Sequence, residues 1–138
     1  MSKNLGIWLD HEKAHLVMLE GDQVSTETLV SNFESRLRIE GEGKNYSSSS
    51  GLMVHLVKKR TERRRHQLRN YYSSIMNRLT GVKKIYIFGP AGAGKELGKE
   101  ISRHKHHSAI PVYIEKADNL TLNQIIARVK KYFSSEET

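Results

Sequence analysis

The hydrophobic residues of the chain change their period near residue 57, and this change limits the possible fold more than any other feature. Before it, apolar and polar residues alternate over residues 14–19 and 24–30, and residues 5–9 form a short apolar run. Alternation with a period of two predicts β-strands. The Gly21-Asp22 pair between the second and third segments is typical of a hairpin turn. The first thirty residues therefore predict three antiparallel strands.

From about residue 57 the apolar residues follow a helical period. One stripe at i, i+4, i+7 and i+11 predicts a long helix and consists of Leu68, Tyr72, Ile75 and Leu79. We expect Gly81 to close this helix as the residue that follows its last turn. The segment before the helix, residues 41–51, contains four serines and three glycines, and it predicts a flexible loop.

Two further strands and two further helices complete the pattern. Residues 82–88 and 109–114 predict strands, and residues 92–103 predict a short helix. Thr121 or Asn119 is expected to cap the last helix, whose apolar face consists of Leu122, Ile125, Ile126, Val129 and Phe133. The order β-β-β-α-β-α-β-α predicts an α/β fold with one mixed sheet. The nearest familiar arrangement is the ribonuclease-H-like topology.

Length and composition restrict the classes of protein to consider. The chain has 138 residues, which predicts a single domain over residues 1–138. It has no cysteine, so a disulfide framework and thiolate metal sites are excluded. It has no apolar segment near the length of about 20 residues that a membrane span needs, and its first residues do not resemble a signal peptide. We expect a cytoplasmic protein without a membrane partner.

The formal net charge of +8 favours an anionic partner, and nucleic acid is the usual one. Residues 58–69 contain seven lysines and arginines but a single acidic residue, Glu62. A solvated helix face is the simpler explanation of a charge run, but this excess is larger than such a face requires. The expected RNA-binding residues are Lys58, Lys59, Arg60, Arg63, Arg64, Arg65 and Arg69, with Lys44 and Tyr46 from the preceding loop.

The segment GPAGAGK, residues 89–95, has the spacing of a nucleotide-binding phosphate loop. Glu96 follows it, where such a loop needs Ser or Thr to bind Mg²⁺. The last strand ends near Glu115, and no strand ends in the second metal-binding Asp. We therefore interpret the glycines as the residues of a tight strand-to-helix turn. Pro90 is expected near the first helical turn.

Two other groups of residues suggest metal sites. His104, His106 and His107 are close in sequence, but the segment is more simply a basic helix C-terminus. Asp10 follows the first strand, where ribonuclease-H-like nucleases hold a metal, and Glu62 is a possible second ligand. Since no third acid is evident, we interpret Asp10 as a hairpin residue. We expect no metal, cofactor or catalytic residue.

The chain resembles a known family over about residues 5–134. It is similar to the middle domain of the eukaryotic and archaeal class I peptide-chain release factors and of Pelota, and still more to their small stand-alone bacterial relatives. The resemblance rests on the order and spacing of four segments: GIWLD at residues 6–10, KRTER at 59–63, Gly89-Pro90 with Lys95, and ADNLT at 117–121. It implies a role in translation and a ribosomal partner.

One difference from the release factors concerns their chemistry. Their loop before the basic helix carries Gly-Gly-Gln, which promotes peptide release, and this sequence contains no Gly-Gly-Gln. We therefore expect a non-catalytic RNA- or ribosome-associated factor. The alternatives are a metal-dependent nuclease on a ribonuclease-H-like scaffold, and a protein-interaction module or homodimer.

Overall fold

The computed structural model describes residues 3–31, 50–90 and 92–136, apart from the side chains of residues 50–57, 60, 135 and 136. Its elements follow the predicted order. The strands are β1 (Lys3–Leu9), β2 (Lys13–Glu20), β3 (Gln23–Val30), β4 (Val82–Gly89) and β5 (Val112–Lys116). The helices are α1 (Ser50–Met76), α2 (Ala93–Arg103) and α3 (Leu122–Glu136).

The strands form one mixed sheet in the order β3-β2-β1-β4-β5. The first three strands pair antiparallel, and Gly21-Asp22 joins β2 to β3 in a hairpin in which Glu20 faces Gln23. β4 pairs parallel with both β1 and β5. Its segment from Ile85 to Gly89 is buried, as expected of a central parallel strand. The predicted α/β class and ribonuclease-H-like strand order are confirmed.

Helices cover both faces of the sheet. α1 and α2 pack on one face, where Tyr72, Ile75 and Leu79 of the predicted stripe are buried and Leu68 is half-buried against them. α3 packs on the other face over β1 and β2. It lies so close to β1 that a Cβ atom on Gly6 would collide with the side chain of Val129. A side chain at position 6 would therefore push α3 away from the sheet.

Three element ends differ from the predictions. α1 begins at Ser50 and not near residue 57, so Ser50 and Gly51 of the predicted loop are helical; residues 41–49 lie outside the described residues. Leu52, Met53 and Leu56 are good helix formers that extend the helix backward. The α-helix ends at Met76, and turns connect it to Gly81, which directly precedes β4 and does not close the helix.

The last strand begins at Val112 and not at residue 109. The chain before it makes hydrogen-bonded turns, in which the amide of Ile110 donates to the carbonyl of His107. Pro111 has no N–H to donate to a sheet, and the ladder with β4 begins where Val112 lies opposite Ile85.

Thr121 is the N-terminal cap of α3. The amide of Gln124 donates to Thr121 Oγ1 at 3.2 Å, and the amide of Thr121 donates to Gln124 Oε1 at 2.9 Å. This reciprocal pair is a capping box. Four of the five predicted apolar residues of α3 pack on the sheet, but Leu122 is 40% exposed because it lies in the first turn, at the end of the helix.

Candidate nucleic-acid interface

The basic segment of α1 presents its charges in several directions. Lys58, Arg65 and Arg69 are exposed, and their spacing of i, i+7 and i+11 places them on one face of the helix, which we call the cationic face. Lys59 and Arg63 are also exposed, one turn apart on another side. The side chain of Arg60 and the whole of Lys44 and Tyr46 lie outside the described residues. All nine expected RNA-binding residues, described or not, remain predictions.

Arg64 differs from its neighbours because it points toward the body of the protein. It is half-buried, one turn before Leu68, on the side of the helix that faces the sheet. The side of α1 that packs on the sheet therefore begins at least one turn earlier than Leu68, the first residue of the predicted stripe. Arg64 lines a cleft of about 620 Å³ whose other residues are Asp10, His11, Glu12, Thr61, Arg65, Leu68 and Glu96.

The turn between β1 and β2 forms one wall of this cleft, and Asp10 organises it. Asp10 Oδ1 accepts hydrogen bonds from the amides of Glu12 and Lys13, each at 2.8 Å. The hydroxyl of Tyr71 on α1 donates to the Asp10 carbonyl at 3.0 Å, and burial raises the pKa of Tyr71. The interpretation of Asp10 as a hairpin residue agrees with this geometry.

Glu96 forms the opposite wall and joins three elements. Its Oε2 accepts a hydrogen bond from the Tyr72 hydroxyl of α1 and lies 3.1 Å from Nε2 of His11 in the β1–β2 turn. Burial, and then the hydrogen bond to Glu96, raise the pKa of Tyr72, so Tyr72 remains a donor. No sequence pattern indicates this convergence, because the three residues are far apart along the chain.

The glycines of the phosphate-loop-like segment have packing roles. Gly89 has a φ of 150°, and a Cβ atom there would collide with the carbonyl oxygen of Leu9. A Cβ on Gly94 would lie 3.1 Å from Ile87, and one on Gly98 would lie 2.5 Å from Ile114. These contacts let α2 approach β4 and β5 closely, which agrees with the interpretation as a structural turn.

Two details of this turn differ from the sequence prediction. α2 begins at Ala93 with Gly92 as its N-terminal cap residue. Pro90 therefore precedes the helix and is not part of its first turn. It lies in the bend that directly follows β4.

The rings of three histidines lie close together at the end of α2 and just after it, and two of them stack. α2 ends at Arg103 with His104 as its C-terminal cap residue, so this basic group begins at a helix C-terminus, as expected, and His106 and His107 lie in the turns that follow. The rings of His104 and His107 stack with centroids 4.4 Å apart, and the amide of His106 donates to Nδ1 of His104 at 3.3 Å. Burial, and then the neighbouring histidines, lower the pKa of His107. Among the described residues, no group of three or more His, Asp or Glu side chains is arranged to hold a metal ion.

Sequence comparisons identify no relative. No known family profile matches the chain, and no curated protein sequence matches it. None of the helices within the described ranges is long and apolar enough to cross a membrane.

The three-dimensional fold, in contrast, matches solved structures. Pelota from Archaeoglobus fulgidus matches with a TM-score of 0.51 at 11% identity, over 94% of this chain and 31% of that one. Pelota from Thermoplasma acidophilum matches with a TM-score of 0.51 at 15% identity, over 94% of this chain and 32% of that one. The archaeal translation termination factor aRF1 matches with a TM-score of 0.56 at 10% identity, over 98% and 40%. The chain has a Pelota-like and release-factor-like fold.

The Pelota-like fold confirms the resemblance that the sequence indicated, at the level of structure. Three of the four segments that carried the resemblance lie where elements meet, whereas residues 59–63 lie within α1. Residues 6–10 form the second half of β1 and the start of its turn, and Gly89-Pro90 connects β4 to α2. Residues 117–121 lead into α3, and the Ala117 amide donates to the Gly89 carbonyl at 3.0 Å. The chain spans about a third to two fifths of the length of the solved structures that it matches.

Proposed function

We propose that this protein is a non-catalytic factor that associates with RNA or the ribosome in bacterial translation, in the cytoplasm, and that residues 1–138 act as one domain. The observation that carries the proposal is the cationic face of α1. Its residues Lys58, Arg65 and Arg69 are exposed along one side of a long helix. Lysine and arginine side chains in such an arrangement bind phosphate groups.

The dimensions of the cationic face suit a nucleic-acid backbone. A rise of 1.5 Å per residue separates Lys58 from Arg69 by about 16 Å along the helix axis. Lys59 and Arg63 extend the positive charge around the helix. Glu62 is exposed four residues after Lys58 and so lies on the cationic face, but it is the single acidic residue among seven lysines and arginines in this segment, and the local field is positive. Such a field attracts anionic partners over a distance that salt limits.

The fold supports a connection with translation. The solved structures of the same fold include Pelota and an archaeal translation termination factor. This chain corresponds to part of each, so their whole activity is not transferred to it. It also lacks the Gly-Gly-Gln sequence. We therefore propose binding without peptide release.

The nuclease alternative has less support. The Asp10 carboxylate accepts two backbone amides within its turn, and Glu62 is an exposed residue of α1. A hairpin role explains Asp10 without a metal.

The proposal is tested by replacing the cationic face. We expect the triple variant Lys58→Gln, Arg65→Gln, Arg69→Gln to keep its thermal midpoint, because exposed substitutions usually change stability by about 0.5 kcal/mol or less each. The variant should bind purified ribosomes much more weakly than wild type does, as measured by co-sedimentation from low to high salt. The slope of log affinity against log salt should flatten by roughly 0.7 to 0.9 for each phosphate group that the variant no longer binds.

A matched control separates this face from the total charge. Lys83, Lys99 and Lys105 are exposed outside α1, and their replacement by Gln removes the same three charges. The control should bind almost as wild type does. If ribosome binding weakens equally in both variants, the effect comes from the total charge of the protein and not from this face. If binding is unchanged in both, the proposed interface is refuted.

A further inference from the structure

A second surface lies on the opposite face of the sheet, beside β5. α3 packs mainly over β1 and β2 and buries Tyr86 and Phe88 of β4, whereas the outer part of this face, on β5, extends beyond the helix. Three tyrosines meet there: Tyr86 of β4, Tyr113 of β5 and Tyr132 of α3. We call these three residues the tyrosine shelf. Because β5 is an edge strand, the shelf opens toward solvent.

The rings of the shelf are nearly parallel. Tyr86 and Tyr132 stack with centroids 4.1 Å apart and planes 9° apart. Tyr113 lies 5.5 Å from Tyr132, with 16° between the planes. Tyr86 is buried and Tyr132 is half-buried, whereas Tyr113 is 50% exposed. The protein therefore presents an aromatic ring to solvent at the outer end of an ordered aromatic group.

Hydrogen bonds hold the inner part of the shelf in place. The Tyr86 hydroxyl donates to Glu115 Oε2 at 2.8 Å and accepts from Arg128 Nε at 3.0 Å. Arg128 Nη2 also donates to Glu115 Oε1 at 2.9 Å, and its guanidinium lies over the Phe88 ring at 5.2 Å. The negative charge of Glu115 is thus balanced within the surface, and it does not repel an anion from the shelf.

The helix beside the shelf is positively charged. Besides Arg128, which pairs with Glu115, α3 carries Lys130 and Lys131, and its single acidic residue is Glu136 at its last position. Lys131 is exposed and lies three residues after Arg128, toward the solvent side of the flank of α3 that carries Arg128 and Tyr132. An exposed aromatic ring with a cation beside it matches the two parts of a nucleotide, the base and the phosphate.

We propose that the tyrosine shelf binds single-stranded RNA, with a base stacked on Tyr113 and a phosphate near Lys131. This site goes beyond the proposed function, because it lies on the other face of the sheet from α1. A protein with both sites would hold a structured RNA on one side and an unpaired segment on the other. A second copy of this chain is a poorer occupant, since a symmetric contact would bring Lys131 toward its own copy.

The test uses the full chain and a 12-nucleotide oligouridylate with a fluorescent label, because uracil bases stack little on one another. Anisotropy titration should give an affinity for Tyr113→Leu that is roughly 5- to 150-fold weaker than for wild type, the range for removing one stacked base. Tyr113→Phe keeps the ring and should bind within about twofold of wild type. Val30, 65% exposed on the opposite edge strand, provides a control, and Val30→Ala should not change the affinity.

Other outcomes separate this inference from the proposed function. The cationic-face triple variant should lose ribosome binding more than oligonucleotide binding, so either site can fail alone. If Tyr113→Leu unfolds, Lys131→Gln provides the test, because it should flatten the salt slope by roughly 0.7. Unchanged affinity in both variants would overturn the shelf as an RNA site. A dimer that Tyr113→Leu converts to a monomer, without an effect on the oligonucleotide, would identify it instead as a self-association surface and also overturn the inference.

Discussion

The hydroxyl of Tyr72 on α1 donates a hydrogen bond to the carboxylate of Glu96 on α2. This bond connects the basic helix to the turn that resembles a phosphate loop. His11 of the β1–β2 turn reaches the same carboxylate oxygen. The position at which a nucleotide-binding loop would need a hydroxyl for Mg²⁺ is therefore used to join three elements.

Removing the Tyr72 hydroxyl tests this connection. We expect Tyr72→Phe to lower the free energy of unfolding by about 1.5 kcal/mol or more, since hydrogen bonds to charged groups contribute about 1.5–3 kcal/mol. Tyr71→Phe is the matched control, because its hydroxyl donates to a neutral carbonyl and should cost about 1 kcal/mol. Chemical denaturation gives both values. If the double variant Tyr72→Phe, Glu96→Gln loses the sum of the unfolding free energies that the two single variants lose, the Tyr72 hydroxyl and the Glu96 carboxylate are not coupled.

Gly89 and Gly92 are three residues apart and should differ strongly in their tolerance of alanine. Gly89→Ala should destabilise the protein by about 2 kcal/mol or more, because it combines a positive φ with a collision against the Leu9 carbonyl. Gly92→Ala has open space around its Cβ and should cost about 1 kcal/mol or less. Thermal unfolding of the two variants gives the comparison. Equal midpoints would contradict the packing role of Gly89.

ATP and GTP should not bind tightly at the turn from β4 to α2. Isothermal titration of the wild-type protein with ATP or GTP, in the presence of Mg²⁺, should give no heat of binding. Glu96→Ser, which supplies the missing hydroxyl, should not create a site, because Gly94 and Gly98 serve to pack α2 on β4 and β5. Micromolar, Mg²⁺-dependent affinity in either protein would contradict the interpretation as a structural turn.

The ion pair of Glu27 on β3 with Arg78 predicts a small dependence of stability on pH. The hydrogen bonds from Arg78, at 2.8 and 3.1 Å, lower the pKa of Glu27 below its ordinary value of 4.5. Its contribution is therefore present above pH 4.5 and is lost as the pH falls through the lower, folded-state pKa. Glu27→Gln should cost less than about 1 kcal/mol at pH 7, since the two side chains are 45% and 37% exposed and solvent screens the pair. If the difference in unfolding free energy between Glu27→Gln and wild type persists at pH 2, it does not come from the negative charge of Glu27, and the prediction is wrong.

Asp10 is predicted to stabilise its turn and to have no role in nuclease chemistry. The purified protein should not cleave RNA or DNA with Mg²⁺ or Mn²⁺. Asp10→Ala should lower the unfolding free energy by about 1 kcal/mol, and Asp10→Asn, which keeps an acceptor for the amides of Glu12 and Lys13, should cost less. Cleavage that Asp10→Asn abolishes would restore the nuclease alternative.

The order of elements could be predicted from the sequence because each strand and helix has a local hydrophobic period. Thr121 could be predicted as a cap for the same reason, since capping depends on neighbouring residues. The start of β5 could not, because the pairing of Val112 with Ile85 decides it. The inward position of Arg64 was also not predicted, although it lies four residues before Leu68 on the same stripe, because its charge suggested that it is exposed like the neighbouring arginines. The cleft and the tyrosine shelf are each built from three separate elements, and no local pattern records their meeting.

The contact between Gly6 and Val129 has a consequence for sequences related to this one. The two positions share one small volume between β1 and α3. A relative with alanine at position 6 needs a residue smaller than valine at position 129, or else a displaced helix. Substitutions at these two sites should therefore occur together in related sequences. This covariation can be used to find distant relatives that have the same arrangement of β1 and α3.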